Sequence, residues 1–377
     1  MNKGKRWLIL FFTIVFVGIL GFMAANYIID PTGYFAVEKG DENIDANGYT
    51  RAAKSKYIKK YADEYDAVIL GGSKSGVLST ELLSDYTGLS YYNFYIAYGC
   101  FEDFLTYANY LIEEIGIREI TLHLSSIEVQ YYSRAEVNDL YKVPAVVNGN
   151  AADLILENLN YLCRNITSTL EYAAEGNSQK ERGMDSLANG ERNYSYAYSL
   201  REEDADAYLE DYVNPRLENT LKKQFTKKDP SIPAVEQNIE AMKELKQLCD
   251  DNDVNLNVII GPVYIVERAK FECDAYYDYL RELVKIVDIW DFSDYNDINM
   301  NPYNFINEGH YDNAVADLML KTIYGEESRE GFGTLLTEDN IEEYLEKRSA
   351  DREALREEYL ETGSVTLGTM EDESYMG

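Results

Sequence analysis

Apolar and polar positions divide the chain into stretches of different character. The first is an apolar run from Trp7 to Ile29, preceded by Lys3, Lys5 and Arg6. At about 1.5 Å per helical residue it measures roughly 34 Å, enough for a hydrocarbon core of about 30 Å. No charge interrupts it and its cations come first, so it predicts a single-pass membrane helix with the rest of the chain outside the cytoplasm. A cleaved signal peptide ending near Met23-Ala24-Ala25 is the alternative. The length of the run favours an uncleaved anchor. Asp30-Pro31-Thr32-Gly33 then punctuates the helix.

Beyond residue 60 the pattern alternates between short apolar runs and helical periodicity. Ala67–Leu70, Ser90–Phe94, Glu119–Leu124, Leu256–Ile260 and Val287–Phe292 read as strands. Between them, Leu105, Ala108, Leu111, Ile112 and Ile115 repeat with a helical period, as do Val235, Ile239, Met242, Leu245 and Cys249. Tyr276, Tyr277, Leu280, Leu283 and Val284 mark another helix, and Ala314, Val315, Leu318 and Met319 a final one. Strands separated by helices predict parallel pairing, hence a three-layer α/β/α sandwich with a mostly parallel five-stranded sheet. Residues 140–234 break the rhythm with weak helices and many polar positions, and read as an inserted helical cap over the site. The boundaries expected are an anchor at 1–29, a stalk at 30–60, domain halves at 61–139 and 235–325 around the insertion, and a helical extension with a tail at 326–377. Thr337 is placed to cap the extension's helix, Gly363 to end it, and the last dozen residues read as disordered.

Composition narrows the partners. The net charge is −32, from 35 basic and 67 acidic residues, so nucleic acid and anionic membrane surfaces are poor partners. Cys100, Cys163, Cys249 and Cys273 show no zinc spacing and no readable pairing. No metal or organic cofactor is implied.

The chain has only two histidines. His123 lies on a predicted central strand and reads as a buried structural residue. His310 lies in the polar turn Asn307-Glu308-Gly309-His310-Tyr311, ahead of the last helix of the domain. Far upstream, the first strand ends in Gly71-Gly72-Ser73-Lys74-Ser75-Gly76. A hydroxyl lifted off a strand end by glycines, with a histidine brought to it by the fold, is the wiring of a serine nucleophile and its general base. Ser75 is the alternative to Ser73. Asn307, Glu308, Asp312, Asp291 and Asp294 are candidates to orient the imidazole, and the sequence does not choose among them. The backbone N–H groups of Ser73 and Gly99 are candidate oxyanion donors.

At these residues the chain resembles the SGNH, or GDSL-like, hydrolase superfamily, most of all its membrane-anchored members linked to O-acylation of cell-surface polysaccharides. Asp30-Pro31-Thr32-Gly33-Tyr34-Phe35, with Arg51 and Lys54 downstream, looks like the membrane-proximal region of that group. Gly71-Gly72-Ser73 stands where its Gly-Asp-Ser block belongs, and Asn307-Glu308-Gly309-His310 where its Asp-x-x-His block belongs. The resemblance implies an extracytoplasmic acyl-serine enzyme, an O-acetyl (acyl) transferase or esterase. Its catalytic residues would be Ser73 and His310, the ring held by Asn307 or Glu308. Its substrate would be a cell-surface polysaccharide or acyl ester, with a membrane-bound O-acyltransferase as donor partner. The chain also departs from the family. Gly72 and Asn307 replace aspartates, the oxyanion glycine falls one residue late, and Ser125-Ser126-Ile127-Glu128 replaces the Gly-x-Asn-Asp block. A second reading follows from those departures: a catalytically inactive accessory or glycan-binding scaffold that keeps the fold.

Overall fold

The computed structural model describes residues 3–45, 49–175 and 184–370. Its centre is set by the run Ala67-Val68-Ile69-Leu70, apolar at every position as a strand covered on both faces must be. That run forms β1 (Ala67–Gly71), buried throughout. It is joined by β2 (Tyr91–Tyr95), β3 (Glu119–Leu124), β4 (Asn255–Ile260), β5 (Ile289–Asp291) and β6 (Thr334–Leu336). The order across the sheet is β6-β5-β4-β3-β1-β2; all pairs are parallel except β5 with β6.

Alternation along the strands feeds two cores. Val68, Leu70, Ile120, Leu122, Val258 and Ile260 face the helices Phe101–Tyr110, Val235–Asp251 and Asp274–Leu283. Ala67, Ile69 and Ile259 face the helices Thr80–Thr87 and Asn313–Ile323. The molecule is therefore an α/β protein with helices on both faces of its sheet. The sheet has six strands, one more than the five expected. The extra strand is the antiparallel edge β6, preceded by Gly333 at φ +88°. A Cβ on Gly333 would stand 2.4 Å from the Phe292 ring, so only glycine lets the chain turn onto the sheet there.

The N-terminal helix Lys3–Ile29 is long and apolar enough to cross a membrane, and its apolar stretch is uncovered by the rest of the protein. Asn26, near its end, is fully buried and donates to the carbonyls of Leu162 (2.8 Å) and Arg164 (3.1 Å). Residues after the helix fold onto the domain. Asp30 accepts from the Phe35 N–H and the Tyr161 hydroxyl, and Tyr34, Phe35, Tyr49 and Tyr161 pack ring against ring.

The insertion divides into two arms. The helices Ala151–Leu162 and Ile166–Glu175 lie beside the end of the N-terminal helix. The second arm carries Arg192, Tyr194, Arg201 and Arg216 to the turn that holds His310. At the other end, the helix Ile341–Thr362 starts three residues later than a Thr337 cap requires. The side chain of Asn340 folds back onto the Thr337 N–H (2.8 Å) instead, and Gly363 ends the helix in the left-handed conformation. Of the tail read as disordered, residues 371–377 lie outside the described residues.

Candidate active site

Ser73 opens a short 3-10 helix, Ser73–Val77, directly after β1. The turn is narrow because β3 runs alongside: a Cβ on Gly71 would stand 2.7 Å from the His123 carbonyl oxygen. Ser75 closes the turn. Its hydroxyl donates to the Gly72 carbonyl (2.8 Å) and it is fully buried, so the half-buried Ser73 is the hydroxyl left to react. Asn93 fastens the same turn from β2, donating to the carbonyls of Ser75 (2.9 Å) and Leu78 (3.0 Å). Ser73 thus stands at the carboxyl end of β1, which has β2 on one side and β3 on the other. That reversal of strand order is where open α/β sheets place ligands.

His310 reaches it from a tight hairpin, Phe305–Asn307 against His310–Tyr311. Ser73 Oγ lies 2.8 Å from His310 Nε2, across 237 residues of chain. On the far side of the ring, Asn307 Oδ1 is 2.9 Å from His310 Nδ1 and accepts the Gly309 N–H at 3.0 Å. A backbone N–H can only donate, so the Asn307 atom it meets is the oxygen. That oxygen can only accept, so Nδ1 carries the ring proton and Nε2 offers its lone pair to Ser73. The structure therefore brings Ser73, His310 and Asn307 into one chain of hydrogen bonds.

The other candidates go elsewhere. Glu308 turns outward to an ion pair with Arg216 and does not hold the ring. Asp312 caps the following helix through the Val315 N–H (3.0 Å) and faces Arg201 at 3.5 Å. Asp291 lies with Tyr344 and Arg348, and Asp294 with Lys347. Gly99 is not available as an oxyanion donor, because its N–H is taken up by the Ile96 carbonyl (2.9 Å) in a turn. Among the described residues the Ser73 N–H has no such partner. His123 is fully buried under the site, with Nε2 2.8 Å from the Tyr311 hydroxyl, and plays no part in the hydrogen-bond chain.

Two groups beside the dyad carry no signal in the sequence. Glu267 accepts from Lys74 (3.1 Å), Ser126 (2.8 Å) and Lys270. Burial pushes its pKa up, but Lys74 and Lys270 outweigh burial and hold it well below the usual carboxylate range. Arg192 packs its guanidinium against Tyr194, 5.0 Å from the ring centre, and Tyr194 in turn stands against His310. Among the described residues that guanidinium makes no hydrogen bond or ion pair. Burial, then the charges of Arg192 and Lys74, push the His310 pKa down to about 3. The imidazole is therefore neutral through the physiological range, the form a general base needs.

No protein-family model and no curated protein matches the chain.

Proposed function

We propose that the protein is a membrane-anchored, extracytoplasmic serine enzyme of the SGNH type, an acyltransferase or esterase acting on cell-surface polysaccharide. The observation that carries this reading is the Ser73–His310–Asn307 hydrogen-bond chain at a strand end. The strand order supports it, since the parallel strands run 2-1-3-4-5, the flavodoxin-like arrangement. The apolar N-terminal helix with its leading cations supports the anchor and the side of the membrane.

In the reaction, Ser73 Oγ attacks the acyl carbonyl carbon while its proton passes to His310 Nε2. The carbonyl π electrons move to oxygen, and the Ser73 N–H donates to the oxyanion. Arg192 places positive charge near the same space. Collapse of the intermediate breaks the bond to the leaving alkoxide, which takes the proton from the imidazolium, and leaves acyl-Ser73. A sugar hydroxyl or water then gives its proton to His310 and its oxygen to the acyl carbon; the acyl–Oγ bond breaks and Ser73 Oγ takes that proton back from the imidazolium. A membrane-bound O-acyltransferase is the donor partner in the transfer version. Asn307 orients the ring without adding negative charge, so it stabilises the imidazolium less than an aspartate would.

The second reading is a scaffold that keeps the fold without the reaction, and the occupied Gly99 N–H is the observation in its favour. A fluorophosphonate probe separates the two. The wild-type chain and Ser75→Ala are expected to label, and Ser73→Ala to lose labelling completely. A folded wild-type chain that stays unlabelled beside a reactive control esterase sinks the enzyme.

A further inference from the structure

We propose that the surface next to Ser73 is a binding platform for an acidic saccharide, with Tyr98 and Tyr131 stacking on sugar rings and Arg134 holding a carboxylate or phosphate group. As a substrate site it rests on the acyl-serine reading above; its own evidence is separate.

Tyr98 follows β2 in the loop that touches the nucleophile's turn, where a Cβ on Gly72 would lie 3.9 Å from the Gly99 carbonyl oxygen. It sits at φ +55°, in the left-handed region. For a residue other than glycine that conformation is strained and persists only where the surroundings enforce it. Here they do. Buried Arg51 donates to the Ala97 carbonyl (3.1 Å) and the Tyr141 carbonyl, and is itself clamped by Asp103. The segments bearing Tyr98 and Tyr141 are thus fixed from beneath, and the Tyr131 N–H is held by the Ile127 carbonyl (3.1 Å). The strained residue does not bury its ring: Tyr98 is 49% exposed and Tyr131 is 47% exposed. Flat, amphipathic rings held rigidly in water suit the C–H faces of sugars.

The cation between them points to an acidic ligand. Arg134 Cζ lies 4.9 Å from the Tyr98 ring centre, 4.9 Å from that of Tyr131 and 5.5 Å from that of Tyr141. Among the described residues its guanidinium makes no hydrogen bond or ion pair, and its Nε is buried without a partner. Ring faces hold the guanidinium but leave its in-plane N–H donors unused. Those donors match a carboxylate or phosphate two by two. Arg192, which stands near both Tyr98 and His310, is a second guanidinium with no hydrogen bond or ion pair among the described residues, and buried Asp185 is the carboxylate whose charge reaches it. In a chain of net charge −32, Arg134 and Arg192, both near Tyr98, form a local cationic spot. A long nucleic acid would be repelled by the rest of the surface, whereas a short acidic saccharide reaches the spot.

The test uses the full chain with Ser73→Ala in zwitterionic nanodiscs, so that binding is read without turnover. Titration calorimetry with oligogalacturonate and a phosphorylated mannan oligomer is compared with a neutral malto-oligosaccharide of equal length. At least one acidic oligomer is expected to bind, and the neutral one at least tenfold more weakly. Arg134→Met and Tyr131→Ser should each weaken the acidic ligand tenfold or more, with unchanged thermal midpoints. Equal affinity for acidic and neutral oligomers, no binding of either acidic oligomer, or full affinity in Arg134→Met overturns the platform. Fluorophosphonate labelling of the wild type reads the acyl-serine separately: labelling without binding removes the platform alone, and binding without labelling keeps it as a scaffold's site.

Discussion

Asn307 decides how the imidazole can behave. Its oxygen orients the ring as a carboxylate would, but it brings no charge to set against Arg192 and Lys74. Burial first, and then those two charges, push the His310 pKa far below its usual 6.5, to about 3. Activity requires the neutral ring, so it is lost only as pH falls through the folded-state value. A pH–rate profile of ester hydrolysis should stay flat from neutral pH down through 5, with its acid limb lower still. Asn307→Asp sets a negative charge against Nδ1, raises the pKa by about 1–3 units and moves that limb toward neutral. It should also raise turnover at pH 7 by about tenfold or more, because the imidazolium is better stabilised. A wild-type limb near 6.5, or a limb that Asn307→Asp leaves in place, would show that another group titrates.

At the scale of elements, the C-terminal helix is held by charge inside the protein. Arg348 grips Glu272 with two hydrogen bonds (2.9 and 2.8 Å), Arg268 reaches the same carboxylate at 3.2 Å, and Arg348 also meets Asp291 on β5. All of these side chains are fully buried. Glu272→Gln leaves buried Arg268 without a counter-charge and Arg348 with Asp291 alone, at about 3–5 kcal/mol. Thermal unfolding followed by circular dichroism should show a midpoint lower by about 10 °C or more; a drop of only a degree or two would mean that Asp291 carries the pairing. None of this network was legible along the chain, where charged residues read as surface. The parallel strands were legible, because fully buried strands such as Ala67–Leu70 must be apolar without interruption. The turns holding Ser73 and His310 were legible as polar breaks beside apolar runs. The edge strand Thr334–Leu336 was hidden by its length of three residues among glycines. Arg192, Glu267 and Tyr98 were hidden because their meaning comes from neighbours distant along the chain.

Across the whole molecule, one insertion joins the two ends of the proposed function. Its first arm packs on the end of the apolar helix, and its second presses Arg192 and Tyr194 against the His310 turn. The insertion thereby contacts both the apolar helix and the site. The charge distribution works against this compactness. Among the described residues only ten acidic and six basic residues are buried, so most of the excess behind the net charge of −32 lies on the outside. Like charges there repel one another, and the unfolded chain, being larger, relieves that repulsion. Raising salt from about 0.01 M to about 0.15 M shortens the screening length from about 30 Å to about 8 Å. It should therefore raise the thermal midpoint by several degrees in a non-ionic detergent. Exposed pairs such as Lys246–Asp250 and Arg281–Glu342 are weakened by the same salt, but each contributes little in water. A midpoint that falls with salt would mean that these surface pairs, rather than net repulsion, govern stability.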